Sequence, residues 1–417
     1  MKTDAADCST NTADVLRRAG PQGLIEALIS SRAALLEIFS AYRAALGDDL
    51  RVPLSTELNL PLWELGHIGW FEEYWIARNR HLAQGLSADH RAMDVSRGSS
   101  CLPNADTLYD SSNIAHAARW QLDLPDASAT ISYLAEVRDG TLAKLRSLGD
   151  EASDNALYFF RLALFHEAMH REAWIYMGQT LGINLGNTLT QTSPRAHVVS
   201  VEDLVIAGGT WQLGSAAEGF AFDNELAEHE VSIAAFSIDR APVTWQRYLP
   251  FIEDGGYANQ RWWSADGWAW LEQAPRALPR YLRRQGNIYQ RQCFGQWQDL
   301  DSAAPAMNLT LYEAQAWCNW VGRRLPTEAE WEMAACTHSA NDFSWGEVWE
   351  WTTSPFAPYP GFAPHPYRDY SAPWFDSRPV LRGASFATDP GMRHPRYRNF
   401  FTPERNDIFA GFRSCAL

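Results

Sequence analysis

The chain has 417 residues, 46% hydrophobic and 20% charged, a balance that supports a packed core and excludes wholesale disorder. Lys+Arg total 35 against 50 Asp+Glu, and the formal net charge of −15 argues against a nucleic-acid partner or an anionic-membrane surface, which need clustered cations. No run nears the ~18 apolar residues of a membrane span, and the opening MKTDAADCSTNTADVLRRAG has no signal-like apolar core, so a cytoplasmic protein of two or three folding units is expected.

In chain order, the first half reads as helices. Leu24, Leu28, Leu35, Phe39 and Tyr42 recur at helical spacing within Leu24–Tyr42. A second helix is expected over Pro61–Asn79, with Pro61 in its first turn. A third fits Ala127–Leu148, where Ile131, Leu134, Leu142 and Leu145 share a face, and a fourth fits Asp154–Leu181, capped by Ser153 or Asp154. Four amphipathic helices imply an up-down bundle over 1–185. The long connection Ser87–Asp126 is expected to be functional, because unstructured loops of that length are uncommon inside compact domains.

A polar, Gly- and Pro-containing stretch gives a linker at 186–197. From 198 to 417 the pattern changes to short strand-like pieces, a helix from Leu311, a shorter one after Pro326, and a Pro-, Gly- and aromatic-rich segment from Pro355 to Pro403. The fold class is therefore α+β, a helical bundle followed by an irregular domain. Most of the 19 tryptophans fall in this second unit and are read as packing rather than as a cofactor site. The six cysteines, Cys8, Cys101, Cys293, Cys318, Cys336 and Cys415, are scattered and read as reduced thiols.

Two of the 11 histidines, His166 and His170, lie four apart in FHEAMHREAW and project from one helix face, as two ligands of one metal must. Leu162, Ala173, Trp174 and Met177 share that stripe, so the pair points into the bundle. The competing readings are a hydrogen-bonded core pair and a zinc peptidase. The string is a literal HExxH with Glu167 as general base, but a peptidase also needs a third ligand and a strand-edged cleft. His67, in PLWELGHIGWFEEYW, is the candidate third ligand; three neutral imidazoles suit iron(II), zinc or copper alike. His81, His90, His116, His229 and His394 lack comparable spacing and are read as surface or structural.

WELGHIGWFEE together with HEAMH resembles the iron-binding, DinB-like bundle of ergothioneine-type sulfoxide synthases. The strings GGTWQLGS, FDNELAEHEV, APVTWQRYLPFI, RRLPTEAEWEMAA, VWEWTTSPFAPYPGF, VLRGASFAT and FAGFRS resemble the partner domain of those enzymes, which is C-type-lectin-like and related to the formylglycine-generating enzyme. The resemblance implies a mononuclear Fe(II) enzyme that uses O2 to join a chalcogen to C2 of the hercynine imidazole. It places the metal on His67, His166 and His170, and hercynine against Arg398, Asn399, Phe400, Phe401 and Arg405. In that scheme Asn399 hydrogen-bonds the carboxylate, Phe400 faces the trimethylammonium group, and Arg405 adds charge.

The sequence also departs from that family. Met169 stands where a hercynine-contacting Gln is usual, and Asn399-Phe400-Phe401 replaces Asn-Trp-Asp, removing the acid that would hold an amino-acid donor. Phe356 takes a place where a tyrosine is expected, Tyr359 is not securely equivalent to it, and no catalytic proton donor is assigned. The segment from Arg97 to Trp120 lacks the arginine-rich, tyrosine-containing pattern of the sulfur enzymes. These departures resemble the selenoneine synthase branch, with a selenosugar as donor; a thiol-using synthase is the alternative. A binding scaffold without catalysis, and a formylglycine-generating oxidase lacking its cysteine pair, are weaker readings.

Overall fold

The first half of the chain winds into long helices whose ends are set by local sequence. The computed structural model describes residues 12–88, 97–186, 188–196 and 202–417, so Cys8, His90 and the expected start of the second unit at 198 lie outside the described residues. After a short α1 (Thr12–Arg17), α2 (Pro21–Leu46) opens on Pro21 and stops at Gly47, whose φ of 77° suits glycine. Helix α3 (Pro61–Glu72) is buried along almost its whole length. The expected helix over Pro61–Asn79 changes at Glu73–Ala77 into a π turn, a local widening often found beside functional sites. A short α4 (Ala105–Tyr109) follows within the long connection.

Helix α5 (Ala127–Ser147) is capped by the Asp126 side chain. Helix α6 (Asp154–Leu181) is capped by Ser153, which accepts from the Ala156 N–H, and ends at the left-handed Gly182. Between the helices lies a buried ion cluster: Arg32 and Arg138 each contact Glu72 from α3 and Glu167 from α6. Gly66 is required where α4 crosses α3, because a Cβ there would meet the Tyr109 ring at 2.2 Å. That close approach brings the Tyr109 carbonyl to His67.

The second half is built from short strands and capped helices. One sheet runs in the order Leu204–Ile206, Phe236–Ile238, Cys415–Ala416, Arg323–Arg324; another runs Asn399–Phe400, Pro379–Gly383, Trp349–Pro355, Ala410–Gly411. In the latter, Val380 pairs with Phe400 and Leu381 with Asn399, while Ala410–Gly411 lies parallel to Trp349–Glu350. Helices α7 (Trp245–Glu253) and α8 (Ala265–Gln273) precede α9 (Leu311–Val321) and α10 (Glu328–Thr337). The last two carry reciprocal capping boxes, Thr310 with Glu313 and Thr327 with Glu330, which explains why both were readable from sequence. Trp245, Trp317, Trp331 and Trp351 are fully buried and serve as packing.

The halves are joined by polar contacts that leave a cleft between them. Arg17 pairs with Glu225 at 2.7 Å, and Arg280 with Glu57 at 2.7 Å. Glu172 of α6 accepts from the Trp349 indole at 2.8 Å and the Ser385 hydroxyl at 2.6 Å. Among the described residues no helix is long and apolar enough to cross a membrane.

Candidate metal centre and substrate cavity

His67, from α3, meets His166 and His170, from α6, with one nitrogen of each ring within 4.8 Å of the others. The Nε2 atoms of His166 and His170 stand 3.2 Å apart. Two of the three rings are oriented from behind by hydrogen bonds. His67 Nδ1 lies 2.8 Å from the Tyr109 carbonyl, an acceptor, so Nδ1 carries the hydrogen and Nε2 keeps its lone pair. His170 Nδ1 lies 2.7 Å from Oε1 of Glu64, which is itself completely buried, with the same consequence. Trp63 stacks on His67 with centroids 5.0 Å apart, and Phe71 stacks on His166 at 3.5 Å.

Electrostatics favour the neutral form of His67 and His166. Burial holds the His67 and His166 imidazoles well below the usual histidine range, and the proximity of His170 pushes in the same direction. Neutral rings with lone pairs converging on one point form a donor set that fits a divalent transition metal.

The peptidase reading fails on geometry. Glu167, adjacent to His166 in sequence, turns to the opposite side of α6, where Arg32 Nη2 at 2.7 Å and Arg138 Nη2 at 2.8 Å hold it inside the bundle. It lines no part of the cleft and has no access to a water on the histidine side.

The cleft is a cavity of about 620 Å³ lying between the two halves, with His166, His170 and Met169 on one wall and Asn399, Phe400 and Phe401 on the other. Four of the six expected substrate contacts therefore come together there. The Asn399 Oδ1 accepts from the following Phe400 N–H at 2.8 Å, which directs the amide NH2 elsewhere. Phe400 stacks on Phe356 at 4.1 Å, and Met169 sulfur receives the Tyr397 hydroxyl at 3.6 Å.

The two expected arginines are placed differently. Arg398 is completely buried behind the wall, paired with Glu328 at 2.8 Å and donating to the Asn224 and Ala357 carbonyls. Arg405 forms a two-pronged pair with Asp407 at 2.5 and 2.6 Å beside Phe401, and it does not line the cavity. Phe356 and Tyr359 are also buried away from it; Tyr359 donates to Glu328.

Sequence reasoning missed Tyr367, Tyr370 and Tyr397, Glu172 and Trp349, and the cations Arg119 and Arg378, all of which line the cavity. Tyr367 approaches the histidine cluster, its ring centred 6.3 Å from His166 and 4.9 Å from Phe71. Burial, then Asp369, raises its phenol, so it stays protonated at neutral pH. The aromatic richness of Pro355–Pro403 was the available signal, but such loops have no periodicity to mark which ring turns inward. Arg119 and the serines Ser111 and Ser112 come from the long connection expected to be functional.

The architecture is that of a helical DinB-type unit followed by a β-rich, sulfatase-modifying-factor unit of the C-type-lectin-like kind. The DinB superfamily model matches residues 27–173, and the sulfatase-modifying factor enzyme 1-like domain matches 188–347 and 344–416. The chain is 32% identical over 405 residues to the hercynine oxygenase of Mycolicibacterium smegmatis, covering 84% of this chain and 90% of that one. It is 32% identical over 403 residues to the hercynine oxygenase of Mycobacterium tuberculosis, covering 84% and 89%. Among solved structures, PvdO from Pseudomonas aeruginosa matches 54% of this chain and 99% of its own, with a TM-score of 0.33 and 16% identity. The chain belongs to the hercynine oxygenase family.

Proposed function

We propose that this chain is an Fe(II)- and O2-dependent enzyme that joins a chalcogen donor to C2 of the hercynine imidazole, and that the donor is a selenosugar. The observation carrying the reading is the convergence of His67, His166 and His170, two of which, His166 and His170, line a cavity also lined by Asn399, Phe400 and Phe401. The relatives named hercynine oxygenase support the acceptor. The division into a bundle (1–185), a linker (186–197) and a substrate-binding unit (198–417) belongs to the same proposal.

Bound iron(II) would supply the one-electron chemistry that lets O2 act as oxidant. The protein's own residues do the rest. Tyr109 and Glu64 accept from Nδ1 of His67 and His170, which leaves the Nε2 lone pair of each ring to face the cluster. Phe400, backed by Phe356, offers an aromatic face to the trimethylammonium group, and the Asn399 amide offers a donor to the carboxylate. The protonated Tyr367 phenol is the group best placed to hold a proton near the histidines. Overall, the hercynine C2–H and the donor Se–H are lost; one oxygen atom ends on selenium and the other leaves as water, which balances atoms and electrons.

The preference for selenium over sulfur rests on the cavity wall. An amino-acid thiol brings an ammonium group, and the position of the family's acid is the phenyl ring of Phe401. Of the lining carboxylates, Glu172 accepts from Trp349 and Ser385, Asp369 from Ser112, and Glu64 from His170 through Oε1, with its Oε2 buried and unpartnered. A neutral donor fits this surface with less desolvation cost. The test is anaerobic reconstitution with iron(II) and hercynine, addition of either selenosugar or a cysteine-type thiol, admission of oxygen, and product mass. Preferred turnover of the thiol overturns the selenium assignment; no hercynine adduct with either donor overturns the whole reading.

A further inference from the structure

The arginine expected to supply charge, Arg405, is neutralised by Asp407, and Arg398 is consumed by Glu328. Another guanidinium is not. Arg378 is half-buried, lines the cavity, and makes no side-chain hydrogen bond or ion pair among the described residues. Its guanidinium lies 4.2 Å over the ring of Trp374, which also lines the cavity. Its backbone is fixed, since the Arg378 carbonyl accepts from the Phe356 N–H at 2.7 Å and the strand Pro379–Gly383 begins at the next residue. That strand pairs with Asn399–Phe400, so Arg378 belongs to the same wall as the Asn399 amide.

A cation half-withdrawn from water without a hydrogen-bonded partner is costly unless a ligand brings one. Burial, and then the neighbouring Arg405, hold the Arg378 pKa below the usual arginine value, outweighing the nearby Glu404, which makes no ion pair with it. The other lining arginine, Arg119, is already committed on the bundle side. It donates to the Asn59 side chain at 2.6 Å and stacks on Trp63 at 3.8 Å. The second half of the cavity thus presents one open guanidinium next to one open amide and one aromatic face.

We infer that Arg378 is the carboxylate-binding cation of the cavity, forming with the Asn399 amide a clamp on the carboxylate of a trimethylammonium amino acid whose other end reaches the three histidines. The inference rests on the proposed hercynine-binding function. A planar guanidinium recognises a carboxylate through two parallel hydrogen bonds, which fixes orientation as well as charge, while Phe400 takes the quaternary ammonium. Arg378 is therefore a specificity residue for the acid function.

The experiment is calorimetric titration of the full, metal-loaded, anaerobic chain with hercynine and with its decarboxylated trimethylammonium analogue. Hercynine should bind the native protein more tightly. Arg378→Gln should weaken hercynine by about 10- to 100-fold and leave the analogue unchanged, whereas Arg378→Lys should lose less. Unchanged hercynine affinity in Arg378→Gln, equal losses for both ligands, or loss of discrimination in Arg119→Gln instead would each overturn the inference while leaving hercynine binding intact. Binding of neither ligand by the native protein would overturn the functional reading along with it.

Discussion

Glu64 Oε1 lies 2.7 Å from His170 Nδ1, tying α3 to α6 behind the three-histidine cluster. The link makes Glu64 an orienting group: it fixes the tautomer in which Nε2 faces the other two rings. His67 sits one turn further along α3, so one helix supplies both a ligand and the support for another.

Single alanine replacements of His67, His166 and His170 should each abolish one-to-one metal retention. Glu64→Gln should retain the site but weaken metal affinity about 10- to 100-fold. Competition with a chromophoric chelator measures both, and unchanged affinity in Glu64→Gln would refute the orienting role.

The buried ion cluster should govern acid stability. Burial pushes the Glu72 carboxyl up, but Arg138 and Arg32 outweigh it and hold it at about 2, against 4.5 when unperturbed. Because the folded pKa is depressed, the contribution is present above pH 4.5 and lost as pH falls toward about 2. Glu72→Gln leaves two arginines short of a partner and should cost about 3–5 kcal/mol at neutral pH. Denaturant melts across pH check this, and the variant should show a flatter acid limb than the native chain.

Tyr367→Phe preserves the ring packed on Phe71 and removes only the hydroxyl. Metal and hercynine affinities should be unchanged, while turnover falls by about 10- to 1,000-fold if the phenol supplies a proton. Undiminished turnover under saturating substrates would remove Tyr367 from the chemistry.

Phe401→Asp restores a carboxylate to the cavity wall. The expected outcome is a shift of the product ratio toward cysteine-type donors in a competition assay read by mass, because the donor ammonium gains a partner. No change in the ratio would show that donor choice is decided elsewhere in the cavity.

The sequence by itself determined much of the helical half. Leu24 to Tyr42, Ala127 to Leu148 and Asp154 to Leu181 carry a 3.6-residue apolar period and local caps, both legible without distant contacts. The i, i+4 spacing of His166 and His170 likewise put two rings on one face before any fold was known. It did not reveal that Glu167 turns into an ion cluster, since only the packing of α2 and α5 against α6 brings Arg32 and Arg138 to it. Along Arg398-Asn399-Phe400-Phe401 the sequence named a neighbourhood but not the direction of each side chain. Strand pairing and the buried Glu328 drew Arg398 inward, Asp407 neutralised Arg405, and the loop after Pro355 carried Tyr367 and Arg378 to the cavity. Periodicity and capping are properties of a few adjacent residues, whereas the fate of a charge or a loop ring depends on which distant partner the folded chain places beside it.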